Sequence, residues 1–127
     1  MTKQEFAEFV EDQYSIKFDY PFEDEPYAWA FRHDDNKKWF ALVMRIPKNK
    51  LKIDSNEYID IVNLKCAPEL IDDLWHEKGV YPAYHMNKLH WVSVLLPYAP
   101  DDVVQFLTNA SFEATKSVRK RRKNKSE

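Results

Sequence analysis

Residues 27–46, YAWAFRHDDNKKWFALVMRI, contain the segment that decides the predicted fold. Residues 27–33 are predicted to form a strand, and residues 34–37 (DDNK) have the composition of a turn. Residues 38–46 are nearly all apolar, which indicates a strand that lies centrally in its sheet. Two strands joined by so short a turn predict a β-hairpin.

Three further strands are predicted after the hairpin, at residues 58–66, 80–86 and 90–96. The second of them is irregular, because a proline interrupts it. Side chains alternate along a strand, so if Cys66 faces the helices, Asn63 points to the opposite face of the sheet.

Three helices complete the predicted set. Residues 2–14 carry apolar side chains at helical spacing, with Thr2 as the N-cap and Glu5 three residues later. A second helix begins at Pro68 and ends before Gly79, and a third begins after the last strand. The apolar positions of the second helix are Leu70, Ile71, Leu74 and Trp75, and the predicted buried stripe of the third consists of Val103, Phe106, Leu107, Ala110 and Ala114.

The order of these elements predicts an α+β protein with a single antiparallel β-sheet of about five strands and helices packed on one face. Residues 1–115 form one domain with 12 Lys and Arg against 20 Asp and Glu, a net charge of −8. Residues 116–127 form a basic tail with 7 Lys and Arg against one Glu, a net charge of +6. The chain is therefore an acidic body with a basic C-terminal tail.

Composition excludes several classes of function. Cys66 is the single cysteine, so an intramolecular disulfide and a zinc finger are excluded. Gly79 is the single glycine, whereas phosphate-binding loops need several. No apolar run approaches the roughly 20 residues of a membrane-spanning helix. We expect a cytoplasmic protein that is not an enzyme and that holds no cofactor.

Cys66, His85 and His90 are the candidate set for a metal or for a Cys–His nucleophile. The paired spacing of soft-ligand sites is absent, so ordinary hydrogen-bonded histidines are the preferred interpretation. A position before a helix N-terminus lowers a thiol pKa, but strand alternation places Cys66 on the core face, where thiols are inert. We therefore predict no metal site and no catalytic residue.

A second set of polar residues, here called the polar rim, mixes cations, amides and aromatic rings between residues 65 and 90. This mixture contacts phosphates and stacks on bases, although a polar hairpin edge packed for structure is the simpler explanation. The tail can bind phosphates in a salt-dependent way or serve as a solubilising end. The candidate contact residues are Lys65, Tyr84, His85, Asn87, Lys88 and His90 of the polar rim, with Arg119, Lys120, Arg121, Arg122 and Lys123 of the tail.

Several sequence blocks, in order and over nearly the whole chain, resemble the MmcQ/YjbR family. The most specific are NLKCAP at residues 63–68 and PAYHMNK at residues 82–88, which is followed by His90-Trp91. The blocks YPF at residues 20–22, KWFAL at residues 38–42 and Ser111-Phe112 support them.

The resemblance implies a fold like frataxin and like the double-wing DNA-binding domains. It also implies DNA as a partner. The leading hypothesis is a non-enzymatic module in which DNA contacts the polar rim and the basic tail. The alternative is a module that binds a small ligand or another protein through the same rim. The sequence leaves the oligomeric state and any target sequence open.

Overall fold

A computed structural model describes residues 1–118 of the chain. Five strands form one antiparallel sheet in the order β1-β2-β3-β5-β4, so the predicted α+β class is confirmed. In chain order the elements are α1 (Lys3–Tyr14), β1 (Trp29–Arg32), β2 (Trp39–Pro47), a 3-10 turn (Lys48–Leu51), β3 (Tyr58–Lys65), a 3-10 turn (Pro68–Leu70), α2 (Ile71–Leu74), β4 (Val80–Pro82), β5 (Trp91–Leu95) and α3 (Asp101–Thr115).

The predicted hairpin is present as β1 and β2, and it contains a β-bulge. Phe31 pairs with Ala41 and Arg32 pairs with Trp39, which leaves Phe40 as an extra residue. Phe40 and Ala41 consequently both belong to the core under the helices. β2 lies inside the sheet, between β1 and the middle strand β3.

The helices pack on one face of the sheet, as predicted. Phe6 and Val10 of α1 and Leu107 of α3 meet Val62 and Val94 of the strands in one buried cluster. Complete burial of each such side chain stabilises the fold by roughly 1.5–3 kcal/mol. The predicted capping box at the start of α1 is also present.

The predicted buried stripe of α3 is wrong at most positions. Phe106 is 69% exposed, and Ala110 and Ala114 are exposed as well. The buried side chains of α3 are instead Val104, Leu107, Thr108, Ser111 and Thr115.

Hydroxyl groups explain this difference, because each buried one is hydrogen-bonded. Thr108 donates to the carbonyl of Val104 at 2.7 Å, and Thr115 donates to the carbonyl of Ser111 at 2.8 Å. Ser111 donates to the carbonyl of Phe40 at 2.5 Å, at the bulge. A polar side chain whose hydrogen bonds are satisfied can be buried at little cost.

The second predicted helix is much shorter than expected. After the 3-10 turn, α2 has four residues, and only Ile71 is buried while Leu70 and Trp75 are exposed. Gly79 then turns the chain toward β4 with φ +81°, where a Cβ atom would lie 2.8 Å from the backbone nitrogen of Ala99. Only glycine, which has no Cβ atom, fits at such a close approach of two backbone segments.

The face of the sheet opposite the helices is covered by irregular segments. Leu42, Met44 and Ile61 form a second buried cluster there, which Leu51 of the first 3-10 turn and Tyr84 help to cover. Both cores belong to one sheet, so the covering segments are held on a rigid platform. Within residues 1–118, no helix has the length and the apolar character to cross a bilayer.

Candidate functional site

A groove of about 410 Å³ lies where the segment 50–52 meets the segment 82–88. We call it the lysine groove, because three lysines line it together with aromatic side chains. The lining residues that carry its chemistry are Lys50, Lys52, Trp75, Tyr84, His85 and Lys88.

One wall of the lysine groove is formed by the 3-10 turn after β2. Leu51 is buried against the sheet, so its neighbours Lys50 and Lys52 are held at the surface. Lys52 ends the turn in the left-handed region, with φ 64°, and its N–H donates to the carbonyl of Asn49. Lys48 does not join them, because its amino group bonds to Glu57 and Tyr98 elsewhere.

The opposite wall is anchored by two buried polar side chains of the sheet. Ser93 donates through Oγ to Oδ1 of Asn63 at 2.5 Å, and both residues are fully buried. Asn63 donates through Nδ2 to the carbonyl of Tyr84 at 3.2 Å, and the N–H of Tyr84 donates to Ser93 Oγ at 2.9 Å. The backbone of Tyr84 is thus bound on both sides, which fixes this wall on the sheet.

The prediction that Asn63 points away from the helices is confirmed by these contacts. Its side chain holds the loop between β4 and β5 and makes no contact with solvent. Asn63 therefore fixes the position of Tyr84 in the wall of the lysine groove from its buried place in the sheet.

Tyr84 and His85 present two neighbouring rings at the groove. Their ring centroids are 4.0 Å apart with an interplanar angle of 47°. His85 has φ 61°, in the left-handed region, which costs a residue with a Cβ atom roughly 1–2 kcal/mol. The hydrogen bonds of Tyr84 to the sheet offset this cost by holding the loop in place.

The structure brings together only half of the polar rim. Tyr84, His85 and Lys88 line the lysine groove, whereas Lys65 and His90 do not. The N–H of Lys65 donates to Ser111 at the end of β3, and the carbonyl of His90 accepts from the N–H of Cys66.

Asn87 has a local structural role. Its side-chain Oδ1 accepts from the N–H of Leu89 at 2.8 Å, and its carbonyl accepts from His90 and Trp91. Asn87 therefore closes the turn that leads into β5. The tail candidates Arg119, Lys120, Arg121, Arg122 and Lys123 lie outside the described residues.

Sequence reasoning missed Lys50, Lys52 and Trp75. The alternating lysines of the connection after β2 were a visible signal, but nothing in the sequence linked that connection to the polar rim. Trp75 was assigned to the apolar stripe of the second helix, whereas the short helix leaves it exposed beside the groove.

The three lysines of the groove are electrostatically available. Among residues 1–118, none of them has a carboxylate within 4.0 Å, whereas Lys17, Arg32, Arg45 and Lys48 are each paired with one. Arg32 meets Asp19 at 2.7 Å, and Arg45 meets Asp60 at 3.0 Å. The lysine groove is therefore a local concentration of positive charge on an acidic body.

Cys66 is buried, as predicted. Its exposed fraction is 6%, and burial raises the pKa of its thiol to about 11. A thiol in this environment is protonated at neutral pH and is a poor nucleophile and metal ligand. Within the described part of the chain, no group of three or more His, Cys, Asp or Glu residues is placed to hold a metal ion.

An antiparallel sheet with helices on one face and a basic, aromatic groove over the other defines a small α+β domain with a surface groove. The chain belongs to the YjbR family, whose family model matches residues 12–114. The resemblance inferred from the sequence blocks is thereby confirmed.

Two relatives show the extent of this similarity. The protein YyaQ of Bacillus subtilis (strain 168) is 38% identical over 117 residues, which cover 91% of this chain and 99% of YyaQ. The protein YjbR of Escherichia coli (strain K12) is 39% identical over 54 residues, which cover 41% of this chain and 46% of YjbR.

Two solved structures share the fold. A crystal structure of a Pseudomonas syringae protein has a TM-score of 0.89 and 41% identity, and the match covers 91% of this chain and 100% of that chain. A crystal structure of a Deinococcus radiodurans protein has a TM-score of 0.69 at 24% identity, over 96% of this chain and 86% of that chain. The second likeness shows the fold alone.

Proposed function

We propose that this protein binds nucleic acid through the lysine groove, with the basic tail adding electrostatic attraction. One observation carries the proposal: Lys50, Lys52 and Lys88, none with a carboxylate partner among residues 1–118, line one groove together with Trp75 and Tyr84. Lysines bind phosphates and aromatic rings stack on bases, so this combination matches both parts of a nucleotide.

The charge distribution supports a local contact. The body carries a net charge of −8, so it repels a polyanion except where cations cluster. The tail has a net charge of +6 in the sequence. This charge adds an attraction that depends on salt concentration and not on the nucleotide sequence. The likeness to double-wing DNA-binding domains stays a prediction.

The proposed activity is binding without catalysis, in a reducing cytoplasm. The raised pKa and the burial of the Cys66 thiol support a non-catalytic role for the one cysteine. A single free thiol is also typical of proteins in reducing compartments.

A matched pair of double variants tests the proposal. In Lys50→Gln/Lys52→Gln, two groove charges are lost. The control Lys37→Gln/Lys38→Gln removes two charges from the β1–β2 turn, and Lys37 (φ 63°) and Lys52 (φ 64°) share the same backbone conformation. We expect the groove variant to bind DNA about tenfold or more weakly and the control to bind like the wild type, measured by fluorescence anisotropy.

The background for this comparison is a full-length chain with the tail neutralised, in which Gln replaces Arg119, Lys120, Arg121, Arg122 and Lys123. Equal losses in the two double variants would show that only net charge matters. That result would contradict a binding site at the lysine groove.

A small anionic ligand is the second candidate, because the groove volume of about 410 Å³ lies within the roughly 300–1,000 Å³ of small-molecule sites. Calorimetric titration with inorganic phosphate and with mononucleotides tests it. Saturable binding of a mononucleotide that is lost in Lys50→Gln/Lys52→Gln would support this candidate.

A further inference from the structure

The aromatic side chains of the lysine groove distinguish between two forms of nucleic acid. Trp75 is 38% exposed, and Tyr84 presents its ring beside that of His85. In a duplex both faces of each base are covered by stacking, whereas a single strand offers free base faces to aromatic side chains. The rings at the groove therefore complement a single strand and have no equivalent partner on a duplex.

The number of lysines in the groove indicates a short footprint on the nucleic acid. Lys50, Lys52 and Lys88 can neutralise about three phosphates. A duplex carries one charge for about every 1.7 Å of its length, so it would extend dense negative charge from the groove over the surrounding surface. That surface belongs to a body with a net charge of −8, which opposes a duplex more than a single strand.

The acidic residues nearest in sequence to Trp75 strengthen this argument. Asp72 and Asp73 are exposed in α2, and Glu77 lines the surface next to Trp75 together with Lys78. A flexible single strand can enter the groove and leave it at an angle that avoids these carboxylates, and a rigid duplex has less freedom to do so.

From these three observations we infer that the lysine groove binds single-stranded nucleic acid. About three consecutive phosphates lie against Lys50, Lys52 and Lys88, and a base stacks on Trp75. This inference rests on the proposed function and makes it specific for one class of ligand.

Fluorescence anisotropy with a labelled oligothymidine strand, a duplex of equal length and free thymidine monophosphate tests the inference. The protein is the full-length, tail-neutralised chain, so that the tail does not mask the groove. We expect the single strand to bind about tenfold more tightly than the duplex, and the mononucleotide to bind more weakly than the strand.

Salt dependence adds a quantitative test. For three phosphate contacts on a single strand, the logarithm of the binding constant should fall with the logarithm of salt concentration with a slope of about −2. Lys50→Gln/Lys52→Gln should reduce the slope to about −0.7, and Lys37→Gln/Lys38→Gln should leave it at about −2.

A pair of aromatic variants tests the stacking contact. Trp75→Ala should weaken single-strand binding about tenfold with an unchanged salt slope, because it removes a stacking surface and no charge. Phe106→Ala is the matched control, since Phe106 is an exposed aromatic residue on α3, at the helix-covered face.

The outcomes separate the two proposals. Equal or tighter binding of the duplex would overturn the single-strand inference and leave the proposed function standing. Binding of thymidine monophosphate as tight as that of the strand would overturn the inference in favour of the small-ligand candidate. If neither the strand nor the duplex binds, the proposed function itself fails.

Discussion

Cys66 illustrates what a single residue reveals about this molecule. Strand alternation alone predicted its burial, and the structure confirms it, because the residue continues β3 into the core under the helices. His33 was not singled out, although it is buried and its Nε2 is hydrogen-bonded with Thr115 Oγ1 at 2.8 Å. The partner of His33 lies 82 residues away in the sequence, so no local sequence pattern predicts the contact.

The thiol of Cys66 makes stability depend on pH. The folded-state pKa of about 11 lies above the ordinary value of 9.0, so the folded state holds the proton more tightly than the unfolded state. This contribution is fully present below pH 9 and is lost as the pH rises toward 11. It amounts to at most about 2–3 kcal/mol.

This contribution is measured by urea unfolding of the wild type and of Cys66→Ala at about pH 8 and at about pH 10.5. We expect the wild type to lose more free energy of unfolding between the two conditions than the variant does. An equal loss in both proteins would contradict the raised pKa of the thiol. Rapid alkylation of Cys66 in the folded protein at neutral pH would contradict its burial.

At the scale of elements, hydrophobic pattern predicted the strands and failed on parts of the helices. All five strands occur within the predicted segments or one residue beyond them, although β4 has only three residues. In α3 the true buried face includes Thr108, Ser111 and Thr115, whose hydroxyl groups bond to carbonyls. A count of apolar residues cannot identify such a face, because burial there depends on hydrogen bonds formed across the fold.

The Asn63–Ser93 pair is the element-scale feature that positions the lysine groove. Asn63→Leu would leave Ser93 Oγ and the carbonyl of Tyr84 without their buried partner. We expect the variant to lose about 2 kcal/mol of unfolding free energy. We also expect the backbone amide hydrogens of the loop that carries Tyr84 to exchange faster with solvent. Chemical denaturation and amide hydrogen exchange measure the two effects.

A double-mutant cycle supplies the control for this prediction. The double variant Asn63→Leu/Ser93→Ala should lose less unfolding free energy than the sum of the two single variants, because the two side chains share one hydrogen-bond network. We expect a difference of at least about 0.5 kcal/mol. Strict additivity would contradict the coupling of the two side chains.

At the scale of the whole molecule, the sheet was predictable and the covering of its second face was not. The 3-10 turn and the loop of residues 82–88 have no periodic pattern, yet they meet over that face and create the groove. Half of the polar rim therefore lines the groove, while Lys50, Lys52 and Trp75 come from other parts of the sequence.

The distribution of charge follows from the same arrangement. Several cations of the body are paired with carboxylates, and the three lysines of the groove have no such partner among residues 1–118. An acidic body with a basic groove favours a short contact over a wide one.

Chemical-shift mapping tests the central claim most directly. A single-stranded oligonucleotide is added to the isotope-labelled, full-length, tail-neutralised chain, and the backbone amide shifts are followed by NMR. The account predicts saturable shifts concentrated at residues 50–52, at Trp75 and at residues 82–88. Shifts centred on the β1–β2 turn or on α3, or no shifts at any residue, would contradict a nucleic-acid site at the lysine groove.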